Sequence, residues 1–173
     1  MPDSKSFADE HGLLPGDLLL FVTSPKVSLL ERFISSVELL LGKGNEPQSY
    51  YHVAVYVGNG NIVEAVWPRA HKVPLYLNKS FDVYRLKDED DCLATLAAEY
   101  ACKEVGEYYD IVYFCSFGLW KLKHAKICSS LAWTAYKKAG KELKYPGKFI
   151  TPEALGASPD LKLFYKYRIP NGK

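Results

Sequence analysis

Three residues of this 173-residue sequence carry side chains suited to thiol chemistry: His52, Glu64 twelve positions later, and Cys128 far downstream. A thiol becomes a strong nucleophile when a neighbouring base takes its proton. Histidine can act as that base when an acceptor holds its other ring nitrogen, and Glu64 is such an acceptor. The three residues are therefore a candidate nucleophile, base and orienting group, provided that the fold brings them together.

The sequence over residues 51–66 has the pattern of a β-hairpin that would place His52 near Glu64. A three-residue loop, Gly58–Gly60, opposes Ala54 to Glu64. Glu64 then lies on the same face as His52 and diagonal to it, at roughly 7 Å between backbone positions. A loop one residue shorter would move Glu64 to the opposite face. The last glycine of the loop supplies the left-handed conformation that the three-residue form requires, so we expect the longer loop.

Cys128 opens a segment whose apolar residues have helical spacing and which Gly140 ends. The first turn of a helix offers unpaired N–H groups and the positive end of the dipole, which favour a thiolate and can stabilise an oxyanion. An alternative is that Cys128 is a small hydrophobic residue of the core. His52 and Glu64 likewise have an alternative, as ordinary polar residues on the wet face of a hairpin.

Short segments spaced over most of the chain have a family likeness when they are taken in order. They are Pro15-Gly16-Asp17-Leu18-Leu19-Leu20-Phe21, the stretch from His52 to Ala65, Gly106-Glu107-Tyr108-Tyr109-Asp110, Ile127-Cys128-Ser129-Ser130 and Thr151-Pro152-Glu153-Ala154-Leu155. Together they resemble the NlpC/P60 superfamily of papain-like cysteine hydrolases. The similarity is to its circularly permuted branch of YiiX/YaeF-like amidases, to which lecithin:retinol acyltransferase-like enzymes are related. In that branch the histidine precedes the cysteine, as it does here.

The resemblance implies an α+β, circularly permuted papain-like fold in which an antiparallel, barrel-like sheet packs against helices. It gives His52 the role of general base, Glu64 that of orienting partner and Cys128 that of nucleophile. Tyr109 matches a tyrosine near the oxyanion site of cell-wall members, although a tyrosine in so aromatic a run also fits packing. Ser129, in the first turn after the cysteine, is a further candidate for the substrate or oxyanion site.

Two departures from the non-permuted enzymes leave the substrate open. Those enzymes usually carry Asp-Cys-Ser-Gly around the nucleophile, where this chain has Ile-Cys-Ser-Ser, and their third residue is often histidine. The leading expectation is a cysteine amidase or peptidase that cleaves a small peptide or acyl-amide through a thioester. One alternative is a lipid acyl hydrolase or acyltransferase with the apolar helix 25–41 as its wall. Another is a non-catalytic binding module that uses the same cleft.

Composition and charge limit which other kinds of protein this chain can be. A length of 173 residues fits one domain, residues 1–173, and a net charge of +2 is too small to predict nucleic-acid binding. The four cysteines have neither CxxC pairs nor zinc spacing, so we expect no metal, disulfide or cofactor. No signal peptide or membrane span is evident, which predicts a cytoplasmic protein, although a trimmed secreted form would look the same. Lysines near the C-terminus suggest weak contact with anionic substrates or membrane headgroups, or simply a solvated face. The sequence does not predict an oligomeric state.

The remaining elements follow from apolar periodicity. Strands are predicted at residues 17–23, 73–77, 81–86 and 161–169, the last with one wet face. Helices are predicted at 25–41, at 128–139, and from the acidic residues 88–91 onward, with an apolar stripe from Leu93 to Val105. Acidic residues 88–91 are expected to complement the dipole of the helix that they begin. Cys92 and Cys102, within that helix, are expected to be packing residues.

Overall fold

A computed structural model describes residues 3–22, 50–88, 90–109 and 125–169 of the chain. The predicted helix 25–41 and Cys115 lie outside these residues. In chain order the elements are α1 (Ser4–Glu10), β1 (Leu18–Val22), β2 (Tyr50–Tyr56), β3 (Asn61–Ala65), β4 (Ala70–Pro74), β5 (Phe81–Leu86), α2 (Asp91–Lys103), β6 (Tyr108–Tyr109), β7 (Ala125–Lys126), α3 (Cys128–Lys138), α4 (Pro152–Gly156) and β8 (Leu161–Tyr167).

Six strands form one antiparallel sheet in the order β4-β3-β2-β1-β5-β8. The Tyr167 hydroxyl, at the end of one edge strand, donates a 2.9 Å hydrogen bond to the carbonyl oxygen of Leu77, just beyond the other edge strand. The two edges therefore approach each other, and the sheet curls in the barrel-like manner that the sequence predicts. The expected α+β class, with an antiparallel sheet packed against helices, is confirmed.

The two faces of the sheet bury different apolar clusters. Helices α2, α3 and α4 pack on one face, where Leu131 and Tyr136 belong to the same buried cluster as Leu18 and Val53. Helix α1 covers the other face through Phe7, which lies in a second cluster rich in aromatic rings. Each large apolar side chain buried in this way contributes about 1.5–3 kcal/mol relative to an exposed one. Both faces of the sheet are therefore covered, one by α2, α3 and α4 and the other by α1.

The hairpin between β2 and β3 has the predicted three-residue loop. Val57 N–H donates to the carbonyl oxygen of Asn61 at 3.0 Å, and all three loop residues have positive φ, of 85°, 53° and 70°. At the third loop residue, Gly60, an added Cβ would lie 2.4 Å from the backbone nitrogen of Lys5. Glycine is required there both for its conformation and because α1 packs closely against the loop.

Two predictions about elements are wrong in part. The strand expected at residues 73–77 is instead Ala70–Pro74, because pairing with β3 begins directly after the Trp67-Pro68 turn, with Ala65 opposite Ala70. The helix expected to reach residue 105 ends at Lys103. Helix α1, which the periodicity does not predict, begins where the Asp3 carboxylate accepts hydrogen bonds from two backbone N–H groups of the first turn.

The prediction for the cysteines of α2 is also corrected. Cys92 is exposed, because it lies on the solvent side of the first turn, whereas Cys102 is half-buried against the core. The acidic residues before the helix stabilise its start, as expected, since the Asp90 carboxylate accepts a hydrogen bond from Leu93 N–H at 2.9 Å. The prediction of one wet face on β8 is wrong where the strand bulges, because Leu163 and Phe164 are both exposed.

The lysines near α3 are paired with carboxylates. Three of them make ion pairs: Lys137 with Glu142, Lys138 with Glu104, and Lys141 with Asp88. The pair of Lys137 with Glu142 is exposed on both sides and contributes little to stability, whereas Glu104 is buried. Within the described parts of the chain, no helix is both long enough and apolar enough to cross a bilayer.

Candidate active site

A β-bulge sets the position of His52. Phe21 on β1 pairs with His52, whereas the next residue, Val22, pairs with Tyr50, so Tyr51 is an extra residue in β2. The rings of His52 and Tyr51 both lie beside Phe21, at centroid distances of 5.6 and 6.4 Å. The side chain of His52 is only 13% exposed. The imidazole is therefore held against an apolar ring on a buried part of the sheet.

Glu64 lies in the register that the loop predicts. The hydrogen-bonded ladder between β2 and β3 ends at the pair Val55 and Val63, and the next residues in the same register are Ala54 and Glu64. Glu64 Oε2 lies 2.6 Å from His52 Nε2. The structure therefore brings His52 and Glu64 together on one face, diagonal to each other, as expected from the sequence.

The other carboxylate oxygen of Glu64 has two partners that the sequence did not reveal. The Tyr76 hydroxyl donates to Oε1 at 2.7 Å, and His71 Nε2 lies 3.0 Å from the same oxygen. His71 is directly opposite Glu64 in the pairing of β3 with β4. The signal that could have found it is this cross-strand pairing, which the misplaced start of β4 concealed.

Glu64 is ionised although it is almost fully buried. Burial favours the neutral carboxyl, but hydrogen bonds and charge interaction with His52, and hydrogen bonds from Tyr76 and His71, outweigh it and lower the pKa of Glu64 to about 2. An ionised carboxylate can only accept hydrogen bonds. The proton between Glu64 and His52 therefore lies on Nε2, which leaves Nδ1 as the ring nitrogen that can act as a base.

Cys128 is the first residue of α3, and its neighbours fix the first turn. Ile127 N–H donates to Ser130 Oγ at 3.0 Å, so the backbone donor of the residue before the helix has a hydrogen-bond partner. Ser129 Oγ donates to the carbonyl oxygen of Ile150 at 2.8 Å, so this buried hydroxyl is tied to the core. Any contact of Ser129 with an oxyanion would come from its backbone N–H, and that role stays a prediction. Cys128 itself is half-buried and free.

Cys128 lies close enough to His52 to interact with its imidazole. Burial of the imidazole disfavours its charged form, but the interactions with Cys128 and with Glu64 outweigh that cost and raise the pKa of His52 to about 9. The three candidate residues thus form a continuous line from carboxylate to imidazole to thiol, although they come from two strands and a helix.

Tyr109 lies beside the strand that leads to Cys128. It belongs to β6, which pairs in parallel with β7 and places Tyr109 opposite Lys126. The same segment is tied to the turn before β4, since Tyr109 N–H donates to Pro68 O at 3.0 Å and Ala70 N–H donates to Glu107 O at 2.8 Å. The suggested oxyanion role of Tyr109 stays a prediction.

The described residues contain no cluster of three or more histidine, cysteine, aspartate or glutamate side chains placed to hold a metal ion. The described groups suited to catalysis include the side chains of the candidate residues and the N–H groups at the start of α3. Such N–H groups have no acceptor within their own helix, so they are available to a ligand.

A helix that begins with a cysteine, packed on a curled antiparallel sheet whose histidine precedes that cysteine in the chain, is typical of a permuted papain-like cysteine hydrolase. The family model described as permuted papain-like amidase enzyme, YaeF/YiiX, C92 family, matches residues 13–167. The chain belongs to this family, and the predictions of the family and of an enzyme are confirmed. Placement in the wider NlpC/P60 group stays a prediction. No curated protein is significantly similar to the chain.

Proposed function

We propose that the chain cleaves an amide bond through a thioester on Cys128, with His52 as the general base and acid and Glu64 as the orienting group. The observation that carries the proposal is that His52 is hydrogen bonded to Glu64 at 2.6 Å and also interacts with Cys128, which raises the pKa of the imidazole. A thiol, a base and an acceptor in this order are the parts that nucleophilic acyl transfer requires.

In the first half of the reaction His52 Nδ1 takes the proton of the thiol, and Sγ of Cys128 attacks the carbonyl carbon of the amide. The N–H groups in the first turn of α3 stabilise the resulting oxyanion. The imidazolium returns its proton to the leaving nitrogen, so the carbon–nitrogen bond breaks, the amine departs and a thioester remains. In the second half His52 deprotonates water, which attacks the thioester and releases a carboxylic acid and the thiol.

Glu64 contributes by fixing the tautomer and by stabilising the imidazolium. With Nε2–H donating to Oε2 at 2.6 Å, the imidazole presents Nδ1 to the thiol and cannot rotate without breaking a charge-assisted hydrogen bond. The buried negative charge also favours protonated His52, which lowers the energy of the thiolate–imidazolium pair. The reaction therefore begins from groups that are already oriented.

The substrate we propose is a small peptide or acyl-amide, since the matched family is one of amidases. A lipid acyl transfer activity would depend on the apolar segment 25–41, which lies outside the described residues, so no contact supports it. A binding module without turnover would need neither the buried Glu64 nor the interaction between His52 and Cys128. Acyl transfer through a thioester uses all of these features, and the amidase family favours an amide as the substrate.

Competitive alkylation with iodoacetamide, followed by peptide mass spectrometry, tests the proposal without a known substrate. Cys128 should react well below pH 8, ahead of the other three thiols. Cys92 is the matched control, because it is exposed while Cys128 is half-buried. Accessibility alone would make Cys92 the faster thiol, and only activation by His52 reverses that order. Labelling of Cys128 at or below the rate of Cys92 would contradict the nucleophile assignment.

A further inference from the structure

The carboxylate of Glu64 divides its two oxygens between two different tasks. Oε2 receives the His52 hydrogen bond, while Oε1 receives those from Tyr76 at 2.7 Å and His71 at 3.0 Å. The side chain of Glu64 is 4% exposed, so nearly all of its solvation must come from these donors. A buried charge with one oxygen left unsatisfied would be costly, and three donors avoid that cost.

Tyr76 and His71 reach Glu64 from the same edge of the sheet. His71 is the direct cross-strand partner of Glu64, and Tyr76 follows two residues after the end of β4. Pairing continues past that end, because Leu75 N–H donates to the carbonyl oxygen of Gly60 at 2.9 Å. The backbone that carries both donors is therefore fixed to the hairpin that carries the acceptor.

The ring of Tyr76 is also held against the surface that holds the catalytic imidazole. Its centroid lies 6.2 Å from that of Phe21, which in turn lies 5.6 Å from His52, and the Lys79 ammonium lies 5.0 Å from the Tyr76 ring. Tyr76 and His52 thus contact one buried aromatic ring and one carboxylate. The same two residues, Phe21 and Glu64, therefore hold both the Tyr76 hydroxyl and the His52 imidazole in place.

The direction of each hydrogen bond follows from the charge on Glu64. Because the carboxylate only accepts, the Tyr76 hydroxyl donates and His71 carries a proton on Nε2. Burial and the neighbouring Glu64 raise the pKa of Tyr76, so its hydroxyl keeps that proton over the whole working range of pH. Two donors on one oxygen restrain both the rotation and the tilt of the carboxylate plane.

We propose that Tyr76 and His71 are positioning residues, which anchor Oε1 of Glu64 so that Oε2 holds His52 in the orientation that activates Cys128. This inference rests on the proposed function and adds two residues to it. Neither acts on a substrate directly. Their effect is transmitted through the carboxylate, so their removal should lower the reactivity of the thiol and not the binding of a substrate.

The test measures the rate constant for alkylation of Cys128 by iodoacetamide at pH 6.5 in the full-length chain. Tyr76→Phe, which removes only the hydroxyl, should slow alkylation about tenfold, the effect expected when about 1.4 kcal/mol of activation is lost. His71→Leu should slow it by a smaller factor. His71→Gln should recover most of the wild-type rate, because its amide can donate to the same carboxylate oxygen.

Tyr167→Phe is the matched control, since it also removes one tyrosine hydroxyl, here the one bonded to the carbonyl oxygen of Leu77. It should leave the alkylation rate unchanged. A second readout is the proton NMR signal of His52 Nε2–H, which should be sharp in the wild type and broadened in Tyr76→Phe. Once a substrate is found, Tyr76→Phe should lower kcat and leave KM nearly constant.

The outcomes separate this inference from the proposed function. If Cys128 of the wild type reacted no faster than Cys92, both would be overturned. If it reacted faster and yet Tyr76→Phe and His71→Leu kept the wild-type rate, the positioning role alone would be wrong. Equal slowing in Tyr76→Phe and Tyr167→Phe would point to general destabilisation and would also overturn it.

Discussion

Glu64 meets His52 one residue beyond the point at which their strands cease to pair. The ladder ends at Val55 and Val63, yet the carboxylate of Glu64 and the imidazole lie 2.6 Å apart. At that level β3 is held by its pairing with β4 and β2 by its pairing with β1, so the two side chains meet across a break in the ladder between their own strands. The geometry of the site therefore depends on the hairpin loop on one side and on the donors to Glu64 on the other.

Cys128→Ala and His52→Ala should each abolish formation of the acyl-enzyme. The nucleophile and its base act as one unit, so the double variant should be no worse than either single variant. Turnover of a candidate amide and trapping of the thioester by mass spectrometry give the measurement. Cys92→Ala is the control and should retain full turnover. Wild-type turnover in Cys128→Ala would refute the thiol mechanism.

Glu64→Gln should reduce turnover by roughly ten- to a thousandfold, by analogy with other orienting residues. The amide oxygen can still accept the imidazole N–H, but the charge that stabilises the imidazolium is lost. Glu104→Gln provides a matched comparison, because Glu104 is also buried and paired with a cation, Lys138. Turnover should survive that change. Equal activity in Glu64→Gln and the wild type would leave a dyad of cysteine and histidine.

The pKa of His52, followed by NMR titration, should fall markedly from about 9 in Cys128→Ala. Burial alone lowers the pKa of this imidazole, and Cys128 is the largest of the influences that raise it. In Cys128→Ser the replacement keeps the size of the side chain but supplies no thiolate, so a similar fall is expected. A pKa that remained near 9 in both variants would show that Glu64 alone sets it.

The free energy of unfolding should be highest between about pH 4.5 and 6.5. His52 has a pKa raised from 6.5 to about 9, so its contribution is complete below pH 6.5 and is lost as the pH rises toward 9. Glu64 has a pKa lowered from 4.5 to about 2, so its contribution is lost as the pH falls through that range. Each should contribute on the order of 1–3 kcal/mol. Urea unfolding across this range, compared with Cys128→Ala, should show a weaker alkaline loss in the variant.

Gly60→Ala should destabilise the chain more than Gly140→Ala does. Both glycines have positive φ, of 70° and 105°, but an added Cβ has nothing within 4 Å at Gly140 and would lie 2.4 Å from the backbone of Lys5 at Gly60. The strained backbone costs about 1–2 kcal/mol in each case, and the contact with α1 adds to it only in Gly60→Ala. Thermal unfolding measures the difference. Equal losses would mean that α1 moves away at little cost.

The sequence predicted the hairpin register because its loop chemistry is local. A glycine at the third loop position leaves few alternatives, and the register then decides which face carries Glu64. The start of β4 was misplaced because it depends on pairing with β3 across the Trp67-Pro68 turn. That error hid His71 and Tyr76. Local patterns could not predict the bulge at Tyr51 either, since it exists only in relation to β1.

Helix α1 was missed for a different reason. It has only seven residues, and so short a helix is marginal by its own propensity. Its stability comes from burying Phe7 and Ala8 against the second face of the sheet, which no local pattern reports. The exposed position of Cys92 was missed because a helix start leaves its first turn partly uncovered by neighbours. In both cases tertiary packing decided the outcome.

Backbone hydrogen bonds join residues 68–70 to residues 107–109 and form a clamp beside the site. Pro68 follows shortly after Glu64, and β6 pairs with β7, the strand that ends just before Cys128. The strand of the carboxylate and the approach to the nucleophile are thus fastened by main-chain bonds, to which Arg69 adds a side-chain hydrogen bond with the Tyr108 hydroxyl. Substitutions in this clamp that preserve its backbone conformation should be neutral for turnover. The place at which α3 begins is therefore set largely by the course of the backbone through this clamp.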